Sequence, residues 1–329
     1  MRAPLLWRTG MFRVMLPAAL TLWAIAPAWG AVLAVGPGQT FATLAAAQQE
    51  AQPGDTLRLS PGVHRDCLTV RKDGLIIEGS GAAEITELAG FACDGKAALV
   101  TQAANITVRN LTLSHQRVAD GNGAGIRAEG TDLLVDHVRI IDNQDGILAA
   151  SNPGSTITVR DSDFIDNGTC NPACAHGIYV GHIKLLHIAH SRFFETWRAH
   201  HIKSRAQRTE IVDCDIADGP RGTASYAIEI PNGGMVLLRG NRIEKGPQSE
   251  NHAGFIAIGA EGSLYPDTEI IAQDNVAVFD GVYPTSFLRN LTDSPALLRG
   301  NLIPDGVVPL KGGGDISPAS QADTADAKR

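Results

Sequence analysis

The sequence predicts an all-β fold, a right-handed parallel β-helix (solenoid) with a short N-terminal capping helix. Two columns of apolar residues recur at the spacing of one coil, and the stretches between them lack the amphipathic helices of about 10–15 residues that an α/β fold needs. Glycine is also enriched, at 35 of 329 residues, above its usual share of about 7%. This excess indicates the many turns of a solenoid built from short strands.

The apolar columns define the length of a coil. The first column falls in β-rich stretches, and its successive members are 23 to 29 residues apart: Val108, Val135, Val159, Ile188, Ile211 and Leu238. The second column lies between these stretches and is isoleucine in every coil: Ile126, Ile147, Ile178, Ile202, Ile228 and Ile256. Like strands stack in parallel about 4.8 Å apart. Each column therefore predicts a buried ladder, and each coil holds at least two strands.

Residues 39–52 predict the capping helix. Phe41, Leu44, Ala45 and Gln48 recur at helical spacing, and the segment stops before Pro53. The first coil of a solenoid has an open apolar end that must be covered to keep the protein soluble. We therefore expect this helix to pack over that end.

The chain divides into three segments. Residues 1–30 carry three arginines, an uncharged apolar run over 14–27 and small residues at the two positions that a signal peptidase reads. This pattern predicts a cleaved signal peptide, and hence a periplasmic or secreted protein. The run is shorter than the roughly 20 residues of a spanning helix, which disfavours an uncleaved anchor. We expect the β-helix domain over 31–310 and a disordered tail over 311–329, where the apolar periodicity is lost.

Five cysteines in an exported chain predict disulfides with one thiol left over. Cys170 and Cys174 close a very short loop, and Cys67 and Cys93 are about one coil apart, so stacking can bring each pair together. Cys214 occupies a strand position in the repeat. We expect two disulfides, Cys67–Cys93 and Cys170–Cys174, and a buried free thiol at Cys214.

The repeats resemble a known superfamily. The segments Val-Gly-Pro-Gly-Gln-Thr-Phe-Ala-Thr-Leu at 35–44 and Pro-Gly-Asp-Thr-Leu-Arg-Leu at 53–59, with the coils that follow, resemble bacterial right-handed β-helix proteins of the pectin-lyase-like superfamily over about residues 34–305. The segment His-His-Ile-Lys-Ser-Arg at 200–205 resembles the Lys-Ser strand of alginate lyases and chondroitin-lyase-like enzymes. The resemblance implies a polysaccharide-active enzyme with Lys203 as base. Those enzymes also use an arginine on the following coil, where this chain has Glu229.

The residues beside the isoleucine ladder point to a chemistry. Strand alternation places Tyr179, Lys203 and Glu229 outward on consecutive coils, with His201 and Arg205 flanking Lys203. Proton removal beside a uronate carboxylate needs a base, a group that neutralises the carboxylate and an acid for the departing oxygen. We assign Lys203 as base, Arg205 as neutraliser, and Tyr179 or His201 as acid. Elimination and C5 epimerisation share the first step and both stay open, while hydrolysis, which needs two flanking carboxyl groups, ranks third.

Five side chains are candidates for substrate contacts around this stripe: Glu229, Arg127, His182, Asn232 and Trp197. The expected partner is an anionic polysaccharide, which the resemblance implies. A net charge of −7 argues against nucleic acid as the main partner. No segment after the signal peptide is apolar enough to span a membrane, and we expect a monomer.

No cofactor or metal ligand is assigned. A calcium-dependent route stays open as an alternative, although the aspartates that could supply its clustered oxygens fall near turns and outside the outward strand column: Asp142, Asp145, Asp161 and Asp166. Two alternatives need no catalysis. The outward stripe can consist of ordinary cross-strand pairs. The protein can also be a non-catalytic carbohydrate-binding or envelope-associated β-helix. An aromatic content of 5% offers few stacking rings for a long saccharide groove of either kind.

Overall fold

The structure is a computed structural model that describes residues 30–317 of the chain. The expected signal peptide therefore lies outside the described residues, apart from Gly30, and so do residues 318–329. Over the described range the chain winds into a parallel β-helix whose strands form three long sheets. This confirms the predicted all-β solenoid.

The three sheets run the length of the solenoid, and neighbouring strands within each are parallel. Sheet 1 has twelve strands: Val32–Val35, Thr56–Leu59, Ile76–Gly79, Ile106–Arg109, Leu133–Asp136, Asn152–Arg160, Ile183–Ala189, Arg208–Val212, Met235–Arg239, Glu269–Gln273, Ala296–Arg299 and Gly314–Ser317. Sheet 2 has nine: Gly62–His64, Thr86–Ala89, Thr112–Ser114, Arg139–Ile141, Asp163–Ile165, Arg192–Phe194, Asp215–Ala217, Arg242–Lys245 and Val276–Phe279. Sheet 3 has ten: Leu68–Val70, Ala97–Thr101, Ala124–Ala128, Asp145–Ala149, Ile178–Val180, His200–Ser204, Tyr226–Ile230, Ile256–Ile258, Thr285–Asn290 and Val307–Lys311.

Both predicted ladders are present and buried. The six isoleucines are in-register partners on successive strands of sheet 3, and each is 0% exposed. The first column forms the corresponding ladder in sheet 1. Like side chains therefore stack on like side chains along the axis, and the apolar contacts between coils build one continuous core.

A short helix lies at the N-terminal end of the solenoid. It spans Leu44–Glu50 and begins after Thr43, whose hydroxyl accepts the backbone N–H of Ala46. Leu44 and Ala47 are fully buried. The amide of Gln48 donates to the carbonyl of Thr69 in the first strand of sheet 3, which ties the helix to the first coil. No helix in the described part of the chain is long and apolar enough to cross a membrane.

The solenoid continues past the boundary expected at residue 310. Strand Val307–Lys311 pairs with Thr285–Asn290, and strand Gly314–Ser317 pairs with Ala296–Arg299. The expected tail is therefore wrong for residues 311–317. The loss of apolar periodicity wrongly indicated disorder over 311–317. Backbone hydrogen bonds to the preceding coil are enough to extend a parallel sheet without that pattern.

The cysteine predictions are confirmed. Cys67 is bonded to Cys93, and Cys170 to Cys174. Cys214 is free and buried, and burial raises the pKa of its thiol to about 12. The Cys170–Cys174 bond closes a two-stranded antiparallel hairpin, Thr169–Cys170 with Cys174–Ala175, which projects from the coil beside sheet 3. Two disulfides are compatible with an extracellular location.

Candidate functional site

The candidate site centres on three side chains stacked across consecutive coils of sheet 3. Tyr179 is the in-register partner of Lys203, and Lys203 is the partner of Glu229. The Nζ atom of Lys203 lies 2.8 Å from the carboxylate of Glu229 and 5.9 Å from the centre of the Tyr179 ring. The predicted stripe is therefore present, in the predicted order.

Arg205 joins this stripe at the end of the strand that carries Lys203. Its Nε atom donates to the phenol oxygen of Tyr179 at 3.0 Å, and one terminal nitrogen donates to the side-chain oxygen of Asn232 at 2.7 Å. The other terminal nitrogen lies 2.7 Å from the carboxylate of Glu261. The guanidinium plane is thus held by partners on three sides, which suits an arginine that must present a fixed charge.

The prediction missed Glu261. Its carboxylate lies 3.3 Å from Lys203 Nζ as well as contacting Arg205, so it bridges the two cations from the solvent side. Glu261 belongs to the loop over residues 259–268 that joins sheet 3 to sheet 1. That loop has no periodic pattern, so the repeat gave no signal that it folds back over the stripe.

Two histidines lie beside the stripe. Their rings are stacked, with the centres of His176 and His200 separated by 5.1 Å. The Nδ1 atom of His200 accepts the backbone N–H of Tyr226, which leaves Nε2 to carry the proton 3.0 Å from the Glu229 carboxylate. Burial, reinforced by the nearby His200 and Lys203, lowers the pKa of His176 well below its usual range, so this ring is neutral.

Glu229 is the buried anion of the site. Burial alone would raise its pKa, but contacts with His200 and Lys203 outweigh burial and lower the pKa to about 2. Its side chain is only 10% exposed. Glu229 is therefore a fixed carboxylate that holds the Lys203 nitrogen in place from the next coil, not an acid that releases a proton.

Four of these side chains open onto a cleft of about 460 Å³ on the outer face of sheet 3. Tyr179, Lys203, His176 and His200 line its floor, and the Cys170–Cys174 hairpin lines one side. Beyond the opposite end of the Lys203 strand, the Glu261 loop is anchored by Tyr265, whose hydroxyl donates to the backbone carbonyl of Arg205 at 2.7 Å. The floor of the site therefore lies between the hairpin and this loop.

His201 was placed wrongly. It is 0% exposed, and its ring nitrogens contact the hydroxyl of Thr196 at 2.7 Å and the carboxylate of Asp218 at 2.9 Å. The residue before each ladder isoleucine sits at a corner, where a side chain turns inward: a Cβ on Gly125, at the same position, would meet Ile140 and Leu113 of sheet 2. Simple alternation fails at this corner, so His201 cannot reach a substrate, and Tyr179 is left as the candidate acid.

The predicted peripheral contacts have mixed outcomes. Asn232 contacts Arg205, and His182 lies 3.3 Å from the Tyr265 hydroxyl, so both belong to the loop side of the site. Arg127 is in the stripe but two coils away from Tyr179, with Leu148 between them. Trp197 is 44% exposed in the turn before the Lys203 strand and is not among the residues that line the cleft.

The four aspartates considered for calcium do not form one site. Asp145 is buried, with its carboxylate accepting the backbone N–H of His176 at 2.6 Å, and burial raises its pKa to about 7. Asp161 instead has ligand atoms within 4.8 Å of those of Asp136 and His137, on the sheet 1 side of the solenoid. Asp136 is already paired there with Arg160 at 2.8 Å. Among the described residues that line the cleft, Glu250 is the one carboxylate, whereas calcium prefers several clustered oxygens.

The fold is a right-handed parallel β-helix. The family described as "Right handed beta helix region" matches residues 65–216. No curated protein sequence matches this chain significantly.

Several solved structures with a similar fold carry the names of alginate- or pectin-active enzymes. An alginate lyase from Paenibacillus sp. str. FPU-7 is 17% identical, with a TM-score of 0.66 over 82% of this chain and 95% of that one. A pectin methylesterase from Aspergillus niger is 12% identical, with a TM-score of 0.46 over 91% of this chain and 94% of that one. A pectate lyase is 12% identical, with a TM-score of 0.41 over 88% of this chain and 78% of that one. At these sequence identities, the comparison shows a shared fold and nothing further.

Proposed function

We propose that this chain is an exported, monomeric enzyme that acts on a uronic-acid polysaccharide by β-elimination or C5 epimerisation. The observation that carries the proposal is that a lysine, a phenol and a hydrogen-bonded guanidinium lie together. Arg205 donates to the oxygen of Tyr179, and Lys203 lies beside the Tyr179 ring. The alginate lyase of similar fold supports a uronate polymer as the substrate class.

Each side chain has a role in the proposed reaction. Arg205 and Asn232 bind the uronate carboxylate and neutralise it, which makes the adjacent C5 proton more acidic. Lys203 is a cation while it is paired with Glu229 and Glu261, so it first loses one ammonium proton to water and then accepts the C5 proton as the free amine. Glu229 keeps the Lys203 nitrogen in position. In elimination, the electron pair left at C5 forms the C4–C5 double bond, the C4–O bond breaks, and Tyr179 protonates the departing oxygen. In epimerisation, a proton returns to C5 from the opposite face and no bond to oxygen breaks.

The hydrogen bonds of Tyr179 fit the acid role. Its oxygen accepts the N–H of Arg205 at 3.0 Å, so its own proton remains free to be donated into the cleft. A positive charge beside the phenol also stabilises the phenolate that forms when the proton leaves.

Three polymers test the proposal: alginate, polygalacturonate and chondroitin. Purified protein is incubated with each, and the absorbance of the unsaturated uronate is recorded together with proton NMR in D₂O. Elimination gives the absorbance, whereas epimerisation gives solvent deuterium at C5 without it. If the wild type performs elimination, Tyr179→Phe should strongly reduce the absorbance signal, because the departing oxygen loses its proton donor. If the protein binds a polymer but changes none of them, the non-catalytic carbohydrate-binding alternative replaces this proposal.

A further inference from the structure

The carboxylate of Glu261 stands where the proposed reaction needs the carboxylate of a substrate. Arg205 has two other side-chain partners. Tyr179 lies in the sheet 3 strand of the preceding coil, and Asn232 lies just after the sheet 3 strand of the following coil. Only Glu261 reaches it from a loop on the solvent side, and that side chain is 45% exposed. The same carboxylate contacts Lys203, the proposed base.

The charges explain why an internal carboxylate would sit there. The side chains of Arg205 and Lys203 are 17% and 14% exposed, so two cations lie close together in a poorly hydrated site. Cations in such a place are costly unless they are paired. Of these two cations, Glu229 contacts Lys203 alone, from the next coil. Glu261 supplies the second negative charge, and a uronate carboxylate could replace it without changing the charge balance.

The loop geometry fits a carboxylate that is delivered from outside. Glu261 lies between Gly259 and Gly262, which have φ of +85° and +89°, and the N–H of Gly262 donates to the carbonyl of Gly259. This tight turn directs Glu261 back onto the stripe. The backbone of Glu261 is itself attached by one hydrogen bond to the carbonyl of Pro231.

We propose that Glu261 is an internal competitor that occupies the carboxylate subsite of Arg205 and Lys203 until a uronate group displaces it. The inference rests on the proposed function for the identity of the displacing group. Because an occupied subsite is unavailable to the ligand, the apparent affinity for a uronate is reduced by the fraction of molecules in which Glu261 is seated. Glu261 would thereby admit a ligand that brings its own carboxylate and disfavour a neutral sugar, which cannot replace the lost contacts.

Calorimetric titration tests this inference without requiring turnover. Trimannuronate and trigalacturonate are titrated into wild type, Glu261→Gln and Glu84→Gln, with maltotriose as the neutral probe. Glu84 is an exposed carboxylate in the short 3-10 turn Ala83–Ile85, so its variant matches the change in net charge away from the cleft. Glu261→Gln should bind at least one uronate trimer about tenfold more tightly than wild type. Glu84→Gln should bind as wild type does, and maltotriose affinity should not change.

The outcomes separate this inference from the proposed reaction. Uronate binding by Glu261→Gln that is no tighter than that of wild type, or absent, overturns the inference even if the wild type yields unsaturated product. If Glu261→Gln binds a uronate trimer more tightly but neither wild type nor any variant forms product, the competitor role of Glu261 is supported and the proposed reaction is wrong. If an active polymer is found, Glu261→Gln should lower KM with kcat within about threefold of wild type. A hundredfold fall in kcat would place Glu261 in the chemistry and contradict its role as a competitor.

Discussion

The Nζ atom of Lys203 lies 2.8 Å from the carboxylate of Glu229, its in-register partner on the next coil. The two side chains are 14% and 10% exposed, so the pair is largely shielded from water. Removing either partner leaves a charge in a poorly hydrated place, which is more costly than losing an exposed ion pair. Substitutions at this pair therefore need designs that separate effects on folding from effects on chemistry.

Glu229→Gln should make the unfolding free energy less dependent on pH between pH 7 and pH 2. The folded-state pKa of Glu229 is lowered to about 2 from 4.5, so its stabilisation is complete above pH 4.5 and is lost as the pH falls towards 2. Denaturant unfolding at pH 7 should show Glu229→Gln less stable than wild type by about 3 kcal/mol. The difference should shrink towards zero near pH 2. A constant difference between pH 7 and pH 2.5 would contradict this account, and Glu84→Gln serves as the exposed control.

The periodic part of the site could be predicted from the sequence, and its corners and loops could not. Tyr179, Lys203 and Glu229 follow the ladder isoleucines, and strand alternation turns them all outward. His201 precedes a ladder isoleucine, and there the chain bends so that the side chain enters the core. Glu261 lies in a loop, so only three-dimensional packing brings it to Arg205.

Asp145→Asn should stabilise the protein in neutral and alkaline solution. Burial raises the pKa of Asp145 from 3.8 to about 7, so the folded state resists its ionisation, and stability falls as the pH rises from about 4 through 7. Asparagine retains an oxygen for the backbone N–H of His176 without a charge. At pH 8 the variant should exceed wild type by up to about 4 kcal/mol in unfolding free energy, and the two should converge near pH 4. Asp293→Asn, at an exposed position, should show no such divergence; an Asp145→Asn profile parallel to wild type would refute the prediction.

Thiol counting should distinguish the buried cysteine from the disulfides. Cys214 is 3% exposed, with its sulfur near the backbone carbonyls of Val212 and Ile188, and burial raises its pKa to about 12. Folded protein should therefore incorporate no iodoacetamide at pH 8, because the thiolate is the reactive form. Mass spectrometry should find one modification after unfolding without reductant, and five after reduction. Rapid labelling of the folded protein would show that Cys214 is accessible.

Lys203→Arg and Lys203→Ala together test the catalytic assignment while controlling for stability. Alanine leaves the Glu229 carboxylate without its closest cation, so Lys203→Ala should lower the unfolding free energy by about 2–3 kcal/mol, and its lost activity alone would be ambiguous. Arginine keeps a positive charge beside Glu229 but does not give up its proton in proteins. The melting temperature of Lys203→Arg should therefore be close to that of wild type. Its kcat should fall by about 10²–10⁴-fold, the usual contribution of a general base.

The matched control for this pair is Lys184→Arg, which makes the same change at an exposed position in strand Ile183–Ala189 of sheet 1. It should retain both wild-type stability and wild-type turnover, because Lys184 lies outside the cleft. If Lys203→Arg turns over the polymer as fast as Lys184→Arg does, Lys203 is not the base. The stripe would then bind the polymer through fixed charges, and proton removal would require another group in the cleft. The neutral ring of His176, whose centre lies 5.3 Å from that of Tyr179, is one candidate.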